Sequence, residues 1–199
     1  MTRRSGWTLS AVADAYLAGG ARFIQIRSKH AASGALLQQC EDIVARARRA
    51  GATIVVNDRA DIAKLSGAEG VHLGQDDLDA ASARKILGGG AIIGVSTHSV
   101  DQVRSASRLA VDYIAVGPIF GTSTKDTGYR EAGTTFVTEA AQALREAGSA
   151  MPLVAIGGIT LERAPAVIRA GAASVAVIAD LLSTGDPEGR VRAYLRALS

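Results

Sequence analysis

Seven short apolar runs, each followed by a stretch of helical periodicity, constrain this chain more than any other feature. The clearest is Ile54-Val55-Val56, β-branched and without polar alternation. That pattern is expected of a parallel strand covered on both faces. It ends in Asn57-Asp58. Comparable runs cover 23–27, 70–74, 91–95, 113–117, 153–156 and 174–178. Helices are expected over 11–17, 34–50, a short stretch through Ile62 and Leu65, 80–87, 100–109, about 134–146, 161–169 and about 187–198. Ser10 and Ser99 are the expected N-caps of two of them, and Gly51 a natural C-terminal stop.

Unbroken alternation of strand and helix argues for one parallel sheet with crossover helices, a single domain over 1–199. The expected architecture is a (β/α)8 TIM barrel. Only seven strands are countable, and no strand precedes the helix at 11. Either an in-frame strand lies upstream of a misassigned Met1, which is the preferred explanation, or the barrel is incomplete. A doubly wound open sheet is the alternative; the absence of G-x-G-x-x-G after an early strand weakens it.

Composition narrows the function classes. Hydrophobic residues make up 48% of 199 residues and aromatics only 4%, so the core is built from Ala, Val, Leu and Ile. Net charge is +3, with Arg spread along the chain, which gives no footprint for nucleic acid. One cysteine excludes an intrachain disulfide framework and fits the cytoplasm. Cys40 itself falls on the apolar face of a helix and is expected in the core. There is no signal-peptide pattern and no apolar run of membrane-spanning length, so no membrane partner is expected.

In parallel α/β folds the carboxyl ends of strands carry the chemistry. Asn57-Asp58 and Asp77 end consecutive strands, and two carboxylates with open positions suit Mg²⁺, whose other ligands come from water and substrate phosphates. Asp76 is adjacent, and spacing does not choose between it and Asp77. Equally, such carboxylates could cap the helices that follow. Arg27 and Lys29 alternate across the end of the first strand, where both could face the mouth and grip phosphate. The loop Gly121-Thr122-Ser123-Thr124-Lys125-Asp126 mixes hydroxyls, Gly and Lys without being a P-loop. Gly157-Gly158 and Ile178-Ala179 end the last two strands, where barrels often bind phosphate through backbone N–H groups. Ser96-Thr97-His98 offers hydroxyls and an imidazole, the latter an acid/base group or merely an orienting one. His72 is expected in the core or barrel, hydrogen-bonded, and His30 in a solvated loop. The sum is a site for two anions. A pyrophosphate would lie near Arg27, Lys29, Lys125 and carboxylate-bound Mg²⁺, and a monophosphate at the glycine turn. The reaction class is substitution at the carbon bearing the pyrophosphate.

Gln25-Ile26-Arg27-Ser28-Lys29, Val56-Asn57-Asp58, Gly70-Val71-His72-Leu73-Gly74-Gln75-Asp76-Asp77, Gly94-Val95-Ser96-Thr97-His98, Gly117-Pro118-Ile119-Phe120 with Thr122-Ser123-Thr124-Lys125, and Ile156-Gly157-Gly158-Ile159 together resemble the thiamine phosphate synthase family. The resemblance runs in order over about 23–179. It implies a (β/α)8 barrel that joins a hydroxymethylpyrimidine pyrophosphate to a thiazole phosphate, with pyrophosphate leaving first and the thiazole nitrogen capturing the resulting carbocation. It implies Asp58 and Asp77 as Mg²⁺ ligands, and Gln25, Arg27, Lys29 and Asn57 as pyrimidine pyrophosphate contacts. Ser96 and Lys125 match residues beside the leaving group, so Lys125, Ser96 and Arg27 are the expected catalytic residues. Thr122, Thr124, Gly157 and Ile178-Ala179 match the thiazole phosphate cradle. Ser28 stands where the family usually has an acid, and Ala179 where it commonly has Ser, which removes one hydroxyl donor. The rivals are a thiazole tautomerase on the same fold, with His98 as acid/base, and a non-catalytic phosphate-ligand barrel. Small phosphorylated substrates are the expected partners; a homo-oligomer is left open.

Overall fold

β-branched runs too short for helices become the strands, and the amphipathic stretches between them become the crossovers. The computed structural model describes residues 6–121 and 131–199. In chain order it contains α1 (Leu9–Ala18), β1 (Phe23–Ile26), α2 (Ser33–Arg49), β2 (Thr53–Asn57), α3 (Ala60–Ser66), β3 (Gly70–Leu73), α4 (Ala80–Leu87), β4 (Ile92–Thr97), α5 (Val100–Ala106), β5 (Tyr113–Val116), α6 (Gly133–Glu146), β6 (Leu153–Ile156), α7 (Ala164–Arg169), β7 (Ser174–Ala176), a 3-10 turn (Asp180–Leu182) and α8 (Pro187–Leu198). The strands pair in parallel, each with the next, in the order β1 to β7. A doubly wound sheet would reverse its order at a switch point; this one does not. It is a curled, TIM-like half-barrel. Among the described residues no ladder joins β7 to β1, so closure into eight strands is not seen.

The pleat separates two layers. Ile24, Ile26, Ile54, Val56, Val71, Leu73, Ile93, Val95, Ile114 and Val116 pack outward in one core with helix residues such as Leu36, Cys40, Ile43 and Val44. Burying each large side chain there contributes about 1.5–3 kcal/mol. The intervening positions line the concave side: Phe23 and Gln25, Val55 and Asn57, His72, Gly94 and Ser96, and Tyr113. The carboxyl ends of the strands define the mouth.

Several boundaries differ from expectation. Thr8, not Ser10, caps α1, its hydroxyl accepting from the Ala11 N–H at 3.1 Å. Ser10 lies within the first turn and accepts from the Arg46 guanidinium instead. β4 continues through Ser96 and Thr97, because these residues still pair with Ala115 and Val116. β7 stops at Ala176, with no described neighbour on its outer side, so Ile178-Ala179 lies in the turn beyond it rather than at the strand's end. Ser99 caps α5 as expected. No helix is long and apolar enough to cross a membrane among the described residues.

Candidate active site

β2 delivers Asn57 as its last residue, and Asp58 follows in the left-handed region at φ 64°. It is the one non-glycine residue with positive φ among the described residues. Asp tolerates this conformation better than most side chains, but it still costs energy, and such outliers gather at functional sites. The Asp58 N–H donates to the His72 carbonyl at 2.8 Å, which ties the β2 exit to β3. The N-cap positions of the two helices that follow are held by other residues. α3 takes Arg59 as its N-cap without a side-chain hydrogen bond. α4 is capped by Asp79, whose carboxylate accepts from the Ser82 N–H at 2.9 Å. Asp77 instead accepts from the Gly74 N–H at 2.7 Å and closes the turn after β3. One Asp77 oxygen is therefore committed to the turn. Among the described residues no comparable bond holds Asp76, which is exposed.

Gln25 lies on the concave side of β1, and Arg27 directly follows the strand. β1 ends at Ile26, so the strict alternation expected to carry Lys29 onto the same face does not extend that far. Several basic residues elsewhere are paired with acids: Arg46 with Asp14, Arg59 with Asp61, Arg84 with Asp112 and Arg190 with Asp180. Arg27 and Lys29 carry no such ion pair among the described residues. Two cations at a strand end without protein anions suit an anionic ligand.

Ser96 and His72 are buried on adjacent strands, and the His72 Nε2 to Ser96 Oγ hydrogen bond is 2.8 Å. On its other side, His72 Nδ1 bonds Tyr113 Oη at 2.8 Å. Gln75 Nε2 donates to the Ser96 carbonyl at 2.6 Å and holds the β4 exit. The His98 imidazole is engaged by the Gly117 carbonyl through Nδ1, and the His98 backbone N–H donates to Gln102 Oε1 at 2.6 Å. His98 is thus set to orient the loop after β5, and this gives no support to a tautomerase acid/base role.

Gly157 and Gly158 have φ 91° and 63°. A Cβ on Gly157 would meet Pro118 at 2.6 Å, and one on Gly158 the Gly121 carbonyl at 2.5 Å. The glycines are therefore required by the close pass of the 117–121 segment, in addition to any ligand. That segment is pinned by Ile119 and Phe120 N–H groups donating to Ile156 and Gly157 carbonyls. The expected loop residues Thr122, Ser123, Thr124 and Lys125 lie outside the described residues. Beyond β7, Asp180 accepts from the Leu161 N–H, from Arg190 and, at 2.7 Å, from Tyr194 Oη. This clamp, from α8 to the turn after Ile178-Ala179, was not legible in the sequence, because its members are scattered over more than thirty residues. Burial and the adjacent Asp180 carboxylate push the Tyr194 phenol well up, so it remains a donor.

Among the described residues no three His, Cys, Asp or Glu side chains gather as a metal cluster. Asp58 and Asp77 would supply hard carboxylate oxygens, a ligand type suited to Mg²⁺ that completes its shell from water and phosphate. Cys40 is fully buried, and burial, helped by the Glu41 charge, raises its thiol to about 11. That fits the expected core role.

Residues 2–181 match the family described as thiamine monophosphate synthase. The chain is 45% identical to the thiamine-phosphate synthase of Chlorobium luteolum, covering 92% of this chain and 84% of that protein. It is 44% identical to the Anaeromyxobacter dehalogenans thiamine-phosphate synthase, covering 89% and 78%. The solved thiamine phosphate pyrophosphorylase of Pyrococcus furiosus superposes with a TM-score of 0.88 at 27% identity, over all of this chain and 95% of that one. With this match across nearly its whole length, the chain belongs to the thiamine monophosphate synthase family.

Proposed function

We propose that this enzyme condenses 4-amino-2-methyl-5-hydroxymethylpyrimidine pyrophosphate with 4-methyl-5-hydroxyethylthiazole phosphate, giving thiamine phosphate and pyrophosphate. Family membership over residues 2–181 carries this reading, and the chemistry of the mouth agrees with it. Arg27 and Lys29 bind the pyrophosphate of the pyrimidine substrate, with Gln25 and Asn57 holding its ring end. Asp58 and Asp77 hold Mg²⁺, which when bound neutralises pyrophosphate charge and improves it as a leaving group. Lys125 and the Ser96 hydroxyl act as donors to the departing pyrophosphate, whose loss leaves a pyrimidine-stabilised carbocation. The thiazole nitrogen captures that cation while backbone N–H groups at Gly157 and Ile178-Ala179, with Thr122 and Thr124, cradle the thiazole phosphate. No covalent nucleophile is needed; the catalysis is positioning and charge stabilisation. Ala179 offers its backbone N–H alone.

The test is pyrophosphate release from the purified protein with both substrates and Mg²⁺. Release should require both substrates and stop with chelator. Asp58→Ala and Lys125→Ala should each lower kcat by about 100-fold or more, the range seen when one preorganised charge-stabilising group is lost. Unchanged turnover in Asp58→Ala, or full activity in chelator, would remove the metal from the mechanism. No release from folded protein would remove the synthase reading itself.

A further inference from the structure

Three adjacent strands place a polar chain on the concave face. Tyr113 opens β5, His72 lies in β3 and Ser96 in β4. All three are buried, at 8%, 6% and 5% exposure. The Tyr113 ring lies over Gly94, where a Cβ would come within 2.4 Å of its hydroxyl oxygen. The ring thereby crosses β4 and reaches His72 on β3, stacking on the imidazole at 5.5 Å and 25°. Tyr113 Oη meets His72 Nδ1 at 2.8 Å, and His72 Nε2 meets Ser96 Oγ at 2.8 Å.

This geometry has a preferred polarity. A buried phenol must give its proton to an acceptor, because an unsatisfied buried hydroxyl is costly. Burial also pushes the Tyr113 phenol well above its ordinary range, so it stays protonated. Among the described residues His72 Nδ1 is the acceptor it meets. Nδ1 then supplies its lone pair, and the imidazole proton sits on Nε2. Nε2–H donates to Ser96 Oγ, which occupies the serine oxygen as an acceptor. The serine O–H is left to point away from His72.

We propose that Tyr113 and His72 are positioning residues that fix the Ser96 hydroxyl as a hydrogen-bond donor aimed at an anionic phosphate oxygen. The proposal rests on the synthase reading for the identity of that anion, the departing pyrophosphate. The polarity of the relay rests on its burial and hydrogen-bond geometry and not on that reading. With the reverse polarity, Ser96 would spend its proton on Nε2 and present only lone pairs to an anion, which would repel it.

Two measurements decide this. In the first, ¹⁵N-histidine spectra of the unaltered protein at neutral pH report where the His72 proton sits, with a His72→Gln sample used to assign the resonance. A proton on Nε2 alone is expected. A proton on Nδ1, alone or together with one on Nε2, overturns the relay. In the second, kcat and both KM values are compared for Ser96→Ala, Tyr113→Phe and the double variant. Phe keeps the ring over Gly94 and removes only the donor. Tyr113→Phe should lower kcat by about 10-fold, the effect of one misdirected hydrogen bond on a barrier, with the thiazole phosphate KM within about twofold of wild type. In the Ser96→Ala background it should cause no further loss, because Tyr113 acts through Ser96. A full additional tenfold loss there overturns the positioning role. If the unaltered protein releases no pyrophosphate, the synthase reading fails, and the proton position on His72 still decides the relay.

Discussion

The two faces of one sheet behave differently at its edges. On β1, Ile24 and Ile26 point to the helices and are 4% and 0% exposed, whereas Phe23, one residue away on the concave side, is 50% exposed. On β7, Ser174 and Ala176 are exposed on the concave side while Val175 between them is half-buried against the core. In the middle strands the distinction disappears: every residue of β3 and β5 is buried. The convex face is covered locally, since each crossover helix packs on the strands it connects. Among the described residues, burial on the concave face is complete only in strands flanked by neighbours on both sides. What a residue buries on this face depends on its strand's place in the sheet more than on its own hydrophobicity.

The strongest test of that contrast is at the centre of the concave face. A Cβ on Gly94 would fall 1.9 Å from Tyr113 Cζ. Gly94→Ala should therefore destabilise by about 3 kcal/mol or more, as overpacking in a closed site does. Denaturant midpoints check this, and Gly94→Ala combined with Tyr113→Ala should recover much of the loss. Independent, additive losses would show that the clash does not occur.

The convex face gives the next effect, through pH. The buried Cys40 thiol has a folded pKa of about 11 against an ordinary 9.0. A pKa raised on folding favours the neutral form, so its contribution is complete below pH 9 and is lost as pH rises through 11. Relative to Cys40→Ala, the wild type should lose up to about 3 kcal/mol between those limits, at roughly 1.4 kcal/mol per unit. Urea denaturation of both proteins at pH 8 and pH 11 measures it. A constant difference would mean that the thiol is reached by water and that the convex shell is looser than its packing implies.

Local patterns made the parallel sheet and most strand-end residues legible. β-branched runs and 3.6-residue periodicity are written within a single segment, and Asn57, Asp58, Asp77 and Ser96 follow directly from where each run stops. What depends on distant pairing was not legible. Tyr113 reaches His72 because Gly94 between them has no side chain, a relation that exists only once β3, β4 and β5 are in register. The position of His72 within its run predicts a hydrogen-bonded core or barrel residue, and the structure supplies the partners that the run does not name. The Asp180 clamp needs α8 folded back on the turn after β7. Thr8 displaced Ser10 as cap because two hydroxyls near one helix start are equivalent until the backbone chooses. β7 ends at Ala176, two residues before the apolar run 174–178 does, so the run alone did not mark where pairing stops.

The smallest effect is expected where the concave face is open. Phe23 touches the Tyr113 ring edge-on at 5.7 Å between centroids, so its apolar surface is only half removed from water. Truncating a fully buried Phe costs about 3–5 kcal/mol. At half burial, with no enclosed cavity left behind, Phe23→Ala should cost about 1–1.5 kcal/mol by thermal or chemical denaturation. The same truncation at Phe136, which is 6% exposed in α6, supplies the buried reference. If Phe23→Ala matched Phe136→Ala, Phe23 would be fully enclosed in solution, and something would cover the concave edge of β1. If it cost nothing, the edge contact with Tyr113 would be dispensable, and the buried core would end at β2 on that face. An intermediate loss keeps Phe23 as the outermost layer of a core that thins toward β1.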